Sequence, residues 1–415
     1  MNKPMMTTTV RILLSATAIC GWIDMTTATA TAQPETTSLI SPQLAEHCQV
    51  TALSSIEATQ QTTAVESHTQ FRQVWDIATG HGVNIAVIDT GVAQHPRLPR
   101  LFDGGDFTDG AGAHFDCDAH GTLVAGIIAG TPGSDTFAGI APNSTITSFR
   151  QTNAEYGDLD SLAIAINSAI DHGVDMINVS LASCAPLGVE PTGAASISHA
   201  VRRAEESGVL VVAAAGNTSE TCTDDAVSWP AVFDTVLAVT SVELESDHES
   251  ARYALTGDWI DIAAPGGPVL SLSPSDDGLI DLHVTGDEGS RIVGTSFAAP
   301  VVTATAALVK EKNPEFTPAQ LREAITATAN PVVSSHGIGT GVVNPLAAVT
   351  WGNHRLAEYH QGSPPDVING VAVTAPRPEP AADAHPTHRL ATITAVLFVL
   401  VVGSGFWRFG SRHSE

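Results

Sequence analysis

The sequence predicts an α/β fold, with a mostly parallel central sheet covered by helices on both faces and one membrane-crossing helix near the C-terminus. Three observations carry this. Between about Gln70 and Trp351, short runs rich in β-branched residues alternate with stretches of helical character. The stretch "VVTATAALVK", just after Ser296, is apolar on nearly every side, as a helix inside a large core must be. Finally, "LATITAVLFVLVVGSGFW" runs uncharged from Leu390 to Trp407, between Arg389 and Arg408, and reaches the lower end of the length that spans a bilayer.

Taken in order, the chain opens with Lys3 and Arg11, then "ILLSATAICGWI", then small residues ending in Ala30-Thr31-Ala32. A basic start, a short apolar middle and a small-residue exit predict a secretory signal peptide over residues 1–32. Cys20 is not read as a lipoprotein site, because Ile19 is too large for the position before it. An N-terminal extension follows over residues 33–70, rich in Thr, Ser and Gln. Within the main domain, 71–352, strands are expected at "VNIAVID" (83–89), "STITSFR" (144–150), "MINVSL" (176–181), "VLVVAAAG" (209–216) and "TVLAVTSV" (235–242). Helices are expected at 121–130, 161–173 and 193–208, the last ended by Gly208, and again after Ser296. Thr317 with Gln320 forms a capping box, with Pro318 at the first helical position. Residues 353–389 read as an extended linker rich in Pro and Ala. Residues 390–407 are the predicted span, and 408–415, with Arg408 and Arg412, the cytoplasmic tail; the positive-inside rule then puts the main domain outside.

The 415-residue chain is 43% hydrophobic, ample for a core, and its formal charge of −26 argues against nucleic acid or anionic lipid as a partner. The acidic run "DDGLIDLHVTGDEG" (276–289) reads as solvated loop. No metal-ligand spacing is recognisable, and no cofactor is called for. Without the signal peptide four cysteines remain, Cys48, Cys117, Cys184 and Cys222, which suggests two disulfides with three possible connectivities.

Sites in such sheets form outside the carboxyl ends of the strands. The first strand ends in Asp89-Thr90-Gly91, and a carboxylate there needs a partner. Pepsin-like aspartic proteases share Asp-Thr-Gly but need two such aspartates, and this chain has no second Asp-Ser/Thr-Gly. His120, in "DAHGTLVAGIIAG", and Ser296, in "IVGTSFAAP", each stand at the start of an apolar helix. Thr295 or Ser296 could simply cap its helix. An imidazole held by a carboxylate and facing a hydroxyl can instead take the serine proton and return it to a leaving amine, with Ser296 as nucleophile. Asn217, after "VVAAAG", can donate to a developing oxyanion together with the Ser296 backbone N–H.

Together, "AVIDTGV", "HGTLVAGIIAG", "AAAGN" and "GTSFAAPVV" resemble the signature blocks of the subtilisin-like serine proteases over about residues 70–350. The resemblance implies their three-layer fold and a serine endopeptidase acting on protein or peptide substrates. It assigns Asp89 to orient, His120 as general base and acid, Ser296 as nucleophile, and Asn217 with Ser296 to the oxyanion hole. It places Ser180, Leu181 and Ala182, with Ala214, Ala215 and Gly216, along the substrate cleft. The family usually has Gly where Ala182 stands, so an extra methyl narrows the entrance. His95 is read as structural. The whole layout is similar to the mycosins, membrane-anchored proteases of type VII secretion systems. That likeness implies Cys48–Cys117 and Cys184–Cys222 bridges, an extension wrapped on the protease domain, and a place in the secretion membrane complex. Cleavage of exported proteins is the leading expectation; stabilising the complex without needing hydrolysis, or general surface proteolysis, are the alternatives.

Overall fold

Period-two alternation sorts the apolar strand residues onto the two faces of one sheet. In β1 (Asn84–Asp89), Ile85 and Val87 join one core and Ala86 and Ile88 the other. The computed structural model describes residues 48–153, 157–243, 250–332 and 337–351. After β1 come β2 (Leu101–Asp106), β3 (Thr145–Arg150), β4 (Met176–Val179), β5 (Leu210–Ala214), β6 (Val236–Val242) and β7 (Ile262–Pro265). They form one seven-stranded sheet in the order β7-β6-β5-β4-β1-β3-β2, and every pairing is parallel. The chain leaves β1 to one side for β2 and β3, then crosses to its other side for β4. Strand order therefore reverses at β1, and a crevice opens beyond its carboxyl end.

Five helices complete three layers: α1 (His120–Ala129), α2 (Leu159–Asp171), α3 (Ala194–Glu206), α4 (Thr295–Lys312) and α5 (Pro318–Ala327). Side chains of α1, α4 and α5 pack on the face bearing Ile85 and Val87, and those of α2 and α3 on the face bearing Ala86 and Ile88. The capping box of Thr317 and Gln320 forms as the sequence predicts, and α2 has a second one, from Asp158 and Ser161. Gly208 follows α3 with φ +79°, a conformation that glycine adopts without penalty.

Two expectations need correction. β2 and β7 were not expected as strands: "LFDGGD" is interrupted by glycines and "IAAP" is too short to stand out. The run 276–289 is not a solvated loop. It contributes Leu279–Ile280, buried and paired with Ser271–Leu272, and most of a hairpin of Leu282–Thr285 with Glu288–Arg291. A strand of the N-terminal extension, Val50–Ala52, adds antiparallel to that hairpin with Thr51 opposite His283. Disulfides join Cys48 to Cys117 and Cys184 to Cys222. Among the described residues no helix is long and apolar enough to cross a membrane. The predicted signal peptide, linker, span and tail lie outside the described residues.

Candidate active site

Asp89 ends β1 with a fully buried side chain. Its Oδ1 accepts from the Thr90 backbone N–H at 2.8 Å and from His120 Nδ1 at 2.6 Å. His120 is the first residue of α1, entered through Ala119 in the left-handed region at φ +63°. Strand end and helix start meet at backbone contact. A Cβ on Gly121 would lie 1.9 Å from the Gly91 carbonyl oxygen, so the glycines after the aspartate and the histidine are required by space. The imidazole is 22% exposed. Burial works against its protonation, but the charge and hydrogen bond of Asp89, with Asp116 and Asp118 nearby, outweigh this and hold its pKa above the ordinary value.

Ser296 is the second residue of α4, whose N-cap is Gly294. Neither Thr295 nor Ser296 caps the helix. The Thr295 hydroxyl accepts from Gly216 N–H at 3.0 Å and sits 3.1 Å from Asn217 Oδ1, which also accepts from Thr295 N–H at 3.0 Å. With its oxygen so engaged, the Asn217 amide keeps Nδ2 free to donate. Behind Ser296 runs a buried polar chain: Thr303 Oγ1 to Asn178 Oδ1 at 2.8 Å, Asn178 Nδ2 to Ser180 Oγ at 2.8 Å, and Ser180 Oγ to the Ser296 carbonyl at 2.7 Å. It ties β4 to α4 under the site. An asparagine inside an apolar strand and a threonine inside an apolar helix were the signals for it, since each needs a partner.

His120, Asn217 and Ser296 line one open cavity of about 510 Å³, together with Ser180, Leu181, Ala182, Ala214 and Gly216. Ala215 is fully buried and is not among the lining residues. The expected imidazole–hydroxyl hydrogen bond is not formed: among the described residues the Ser296 hydroxyl makes none, and such bonds often tighten only with substrate bound. The sequence did not point to Gln49 and His283 as cavity residues; the pairing of the extension strand with the hairpin brings both to the rim. Leu181 and Ala182 also wall a second pocket of about 130 Å³, with Gln151, Asp158, Leu159, Leu162 and Trp229. His95, the residue read as structural, is 6% exposed and bonded through both ring nitrogens, to Gly278 O and Arg97 N–H. A buried carboxylate–imidazole pair beside a half-buried hydroxyl and a fixed amide donor is equipped for nucleophilic acyl transfer.

Comparison with known proteins agrees. Residues 80–346 match the Subtilase family model. Mycosin-4 of Mycobacterium tuberculosis (strain ATCC 25618 / H37Rv) is 40% identical over 307 residues, 67% of each chain. The solved MycP3 protease from the type VII (ESX-3) secretion system superposes with TM-score 0.67 at 33% identity, over 74% of this chain and 92% of that one. A chain in the intact ESX-5 inner membrane complex gives TM-score 0.66 at 30% identity, over 84% of this chain and 88% of that one. The chain belongs to the Subtilase family, as a serine endopeptidase with mycosins among its relatives.

Proposed function

We propose that this endopeptidase is anchored by residues 390–407 with its protease domain outside the cytoplasm, and that it cleaves exported proteins as a component of a type VII secretion system. Asp89, His120 and Ser296 form the catalytic triad. His120 Nε2 takes the Ser296 proton as Oγ attacks the scissile carbonyl, and Asp89 stabilises the imidazolium that forms. Asn217 Nδ2 and the Ser296 backbone N–H receive the oxyanion. Collapse of the tetrahedral intermediate passes the proton to the leaving amine, and water then hydrolyses the acyl-enzyme by the same steps in reverse order of partners. The observation that carries this reading is the 2.6 Å bond from buried Asp89 to His120, which lines one cavity with Ser296 and Asn217. A fluorophosphonate probe tests it: the wild-type chain labels at Ser296 and Ser296→Ala does not. Labelling that persists in the variant rejects Ser296 as nucleophile.

A second reading has its own support, the likeness to a chain within the ESX-5 inner membrane complex. It makes the protein a structural part of such a complex, with hydrolysis dispensable. Secretion that survives Ser296→Ala but collapses on deletion of the whole chain selects this reading; secretion lost in both selects the first.

A further inference from the structure

The triad leaves a neighbouring buried carboxylate without a role. Asp116 is 8% exposed and lies on the loop that leads into α1. Its Oδ2 accepts from the Thr122 backbone N–H at 2.8 Å and from the Thr122 hydroxyl at 2.6 Å. Its Oδ1 accepts from the Thr90 hydroxyl at 2.7 Å. Thr90 follows Asp89, and Thr122 stands two residues after His120. We propose that Asp116 is a positioning residue, clamping the end of β1 to the start of α1 through Thr90 and Thr122 and thereby setting the aim of Asp89 on His120.

The geometry at Asp89 gives this clamp its leverage. All the hydrogen bonds of the Asp89 carboxylate fall on Oδ1, while Oδ2 is buried without a partner among the described residues. The rotation of that carboxylate therefore rests on Thr90 and His120 alone. The Thr90 hydroxyl has one proton and two acceptors in range, Asp116 Oδ1 at 2.7 Å and Asp89 Oδ1 at 3.3 Å. It serves the nearer, and its oxygen accepts the Gly121 N–H at 3.0 Å. Remove the Asp116 charge and the Thr90 proton is released toward Asp89, where it competes with His120. The loop itself is held down: a Cβ on Gly91 would lie 2.3 Å from the Phe115 carbonyl oxygen, and the Cys117 carbonyl accepts from Gln49 N–H at 2.8 Å beside the Cys48–Cys117 disulfide. Burial pushes the Asp116 carboxyl up to about 6.

The rival account is that Asp116 only caps α1. That account rests on the Asp116–Thr122 bonds, which Thr90→Val leaves in place, so substitutions separate the two. Fluorophosphonate labelling of the full-length chain, followed against pH, needs no knowledge of the substrate. Asp116→Asn and Thr90→Val should each lower the maximal inactivation rate by about 10- to 100-fold, the scale of a small misalignment of reacting groups, without changing probe affinity. Thr90→Ser should recover most of the loss in Thr90→Val. The groups facing His120 are Asp89, Asp116, Asp118 and His283. Since Asp116 raises the His120 pKa, Asp116→Asn should move the acid limb to lower pH. Wild-type inactivation rates in folded Asp116→Asn and Thr90→Val, with only melting temperature lowered, overturn the proposal in favour of the cap. If Asp116→Asn does not fold, Thr90→Val decides, because it leaves the Asp116–Thr122 bonds in place. The proposal rests on the triad reading, and the two fail differently: labelling retained in Ser296→Ala sinks the triad, whereas wild-type rates in Thr90→Val sink only the clamp.

Discussion

Helices α1 and α4, on one side of the sheet, obey a different rule from α2 and α3 on the other. On one side α1 and α4 are apolar all round: every residue from Gly121 to Ala129 and from Phe297 to Val309 is buried, and their polar members, such as Thr122 and Thr303, are bonded inside the protein. On the other side α2 and α3 are amphipathic. They bury Leu162, Ile166, Ile197 and Val201 and turn Ile164, Arg202 and Glu206 outward. Both chemically equipped helix starts, at His120 and Ser296, belong to the first kind. Groups that must meet a substrate at hydrogen-bond distance stand on elements fixed from all sides, and the solvated helices serve to close the sheet.

The sharpest way to break that comparison is at the start of α4. In subtilisin, a member of this family, loss of the nucleophile costs about 2 × 10⁶ in kcat. Ser296→Ala should show a loss of about that order in peptide hydrolysis with an unchanged melting temperature. Next comes Asn217→Ala, whose amide is aimed by Thr295 on the same buried helix. A loss of about 10²–10³ in kcat with KM nearly constant is expected; a loss confined to KM would mean that the amide binds ground-state substrate instead. At α1 the readout is pH. As the proposed base His120 acts only when neutral, and its pKa is raised, so activity should be lost on acidification from a pH above its ordinary value of 6.5. A kcat/KM acid limb centred well below that value would show that Asp89 does not charge the ring as its position implies.

How much of this was legible in the sequence follows from the same contrast. The five main strands and the starts of α1 and α4 could be read because each pairs an apolar run with a polar residue at its end, a local pattern. The partners of Asp116 and of the polar residues beneath Ser296 could not be read. Thr303 and Asn178 are 125 residues apart, and nothing local says that they meet. The hairpin after 281 was hidden by its acidic composition, because its order comes from pairing with Val50–Ala52 rather than from an apolar face of its own. His283 and Gln49 reach the cavity rim by that pairing, so no reading of either segment alone would have placed them there.

The smallest effects test the contrast on packing alone. Glycine in a helix interior is ordinarily worse than alanine by about 1 kcal/mol, so Gly126→Ala in α1 would stabilise an exposed helix. Here the new methyl would lie 2.2 Å from Ser271 Oγ and 3.2 Å from the Leu272 backbone nitrogen. That serine already donates to the Leu123 carbonyl at 2.8 Å and cannot turn away without losing the bond. Overpacking of this kind costs about 1–3 kcal/mol, enough to reverse the sign and lower the melting temperature. Ile164→Ala, at a position 58% exposed on α2, should change stability by no more than about 0.5 kcal/mol. If thermal unfolding found Gly126→Ala neutral or stabilising, α1 would have slack around it, and a helix with slack could not hold His120 against Asp89 by packing alone.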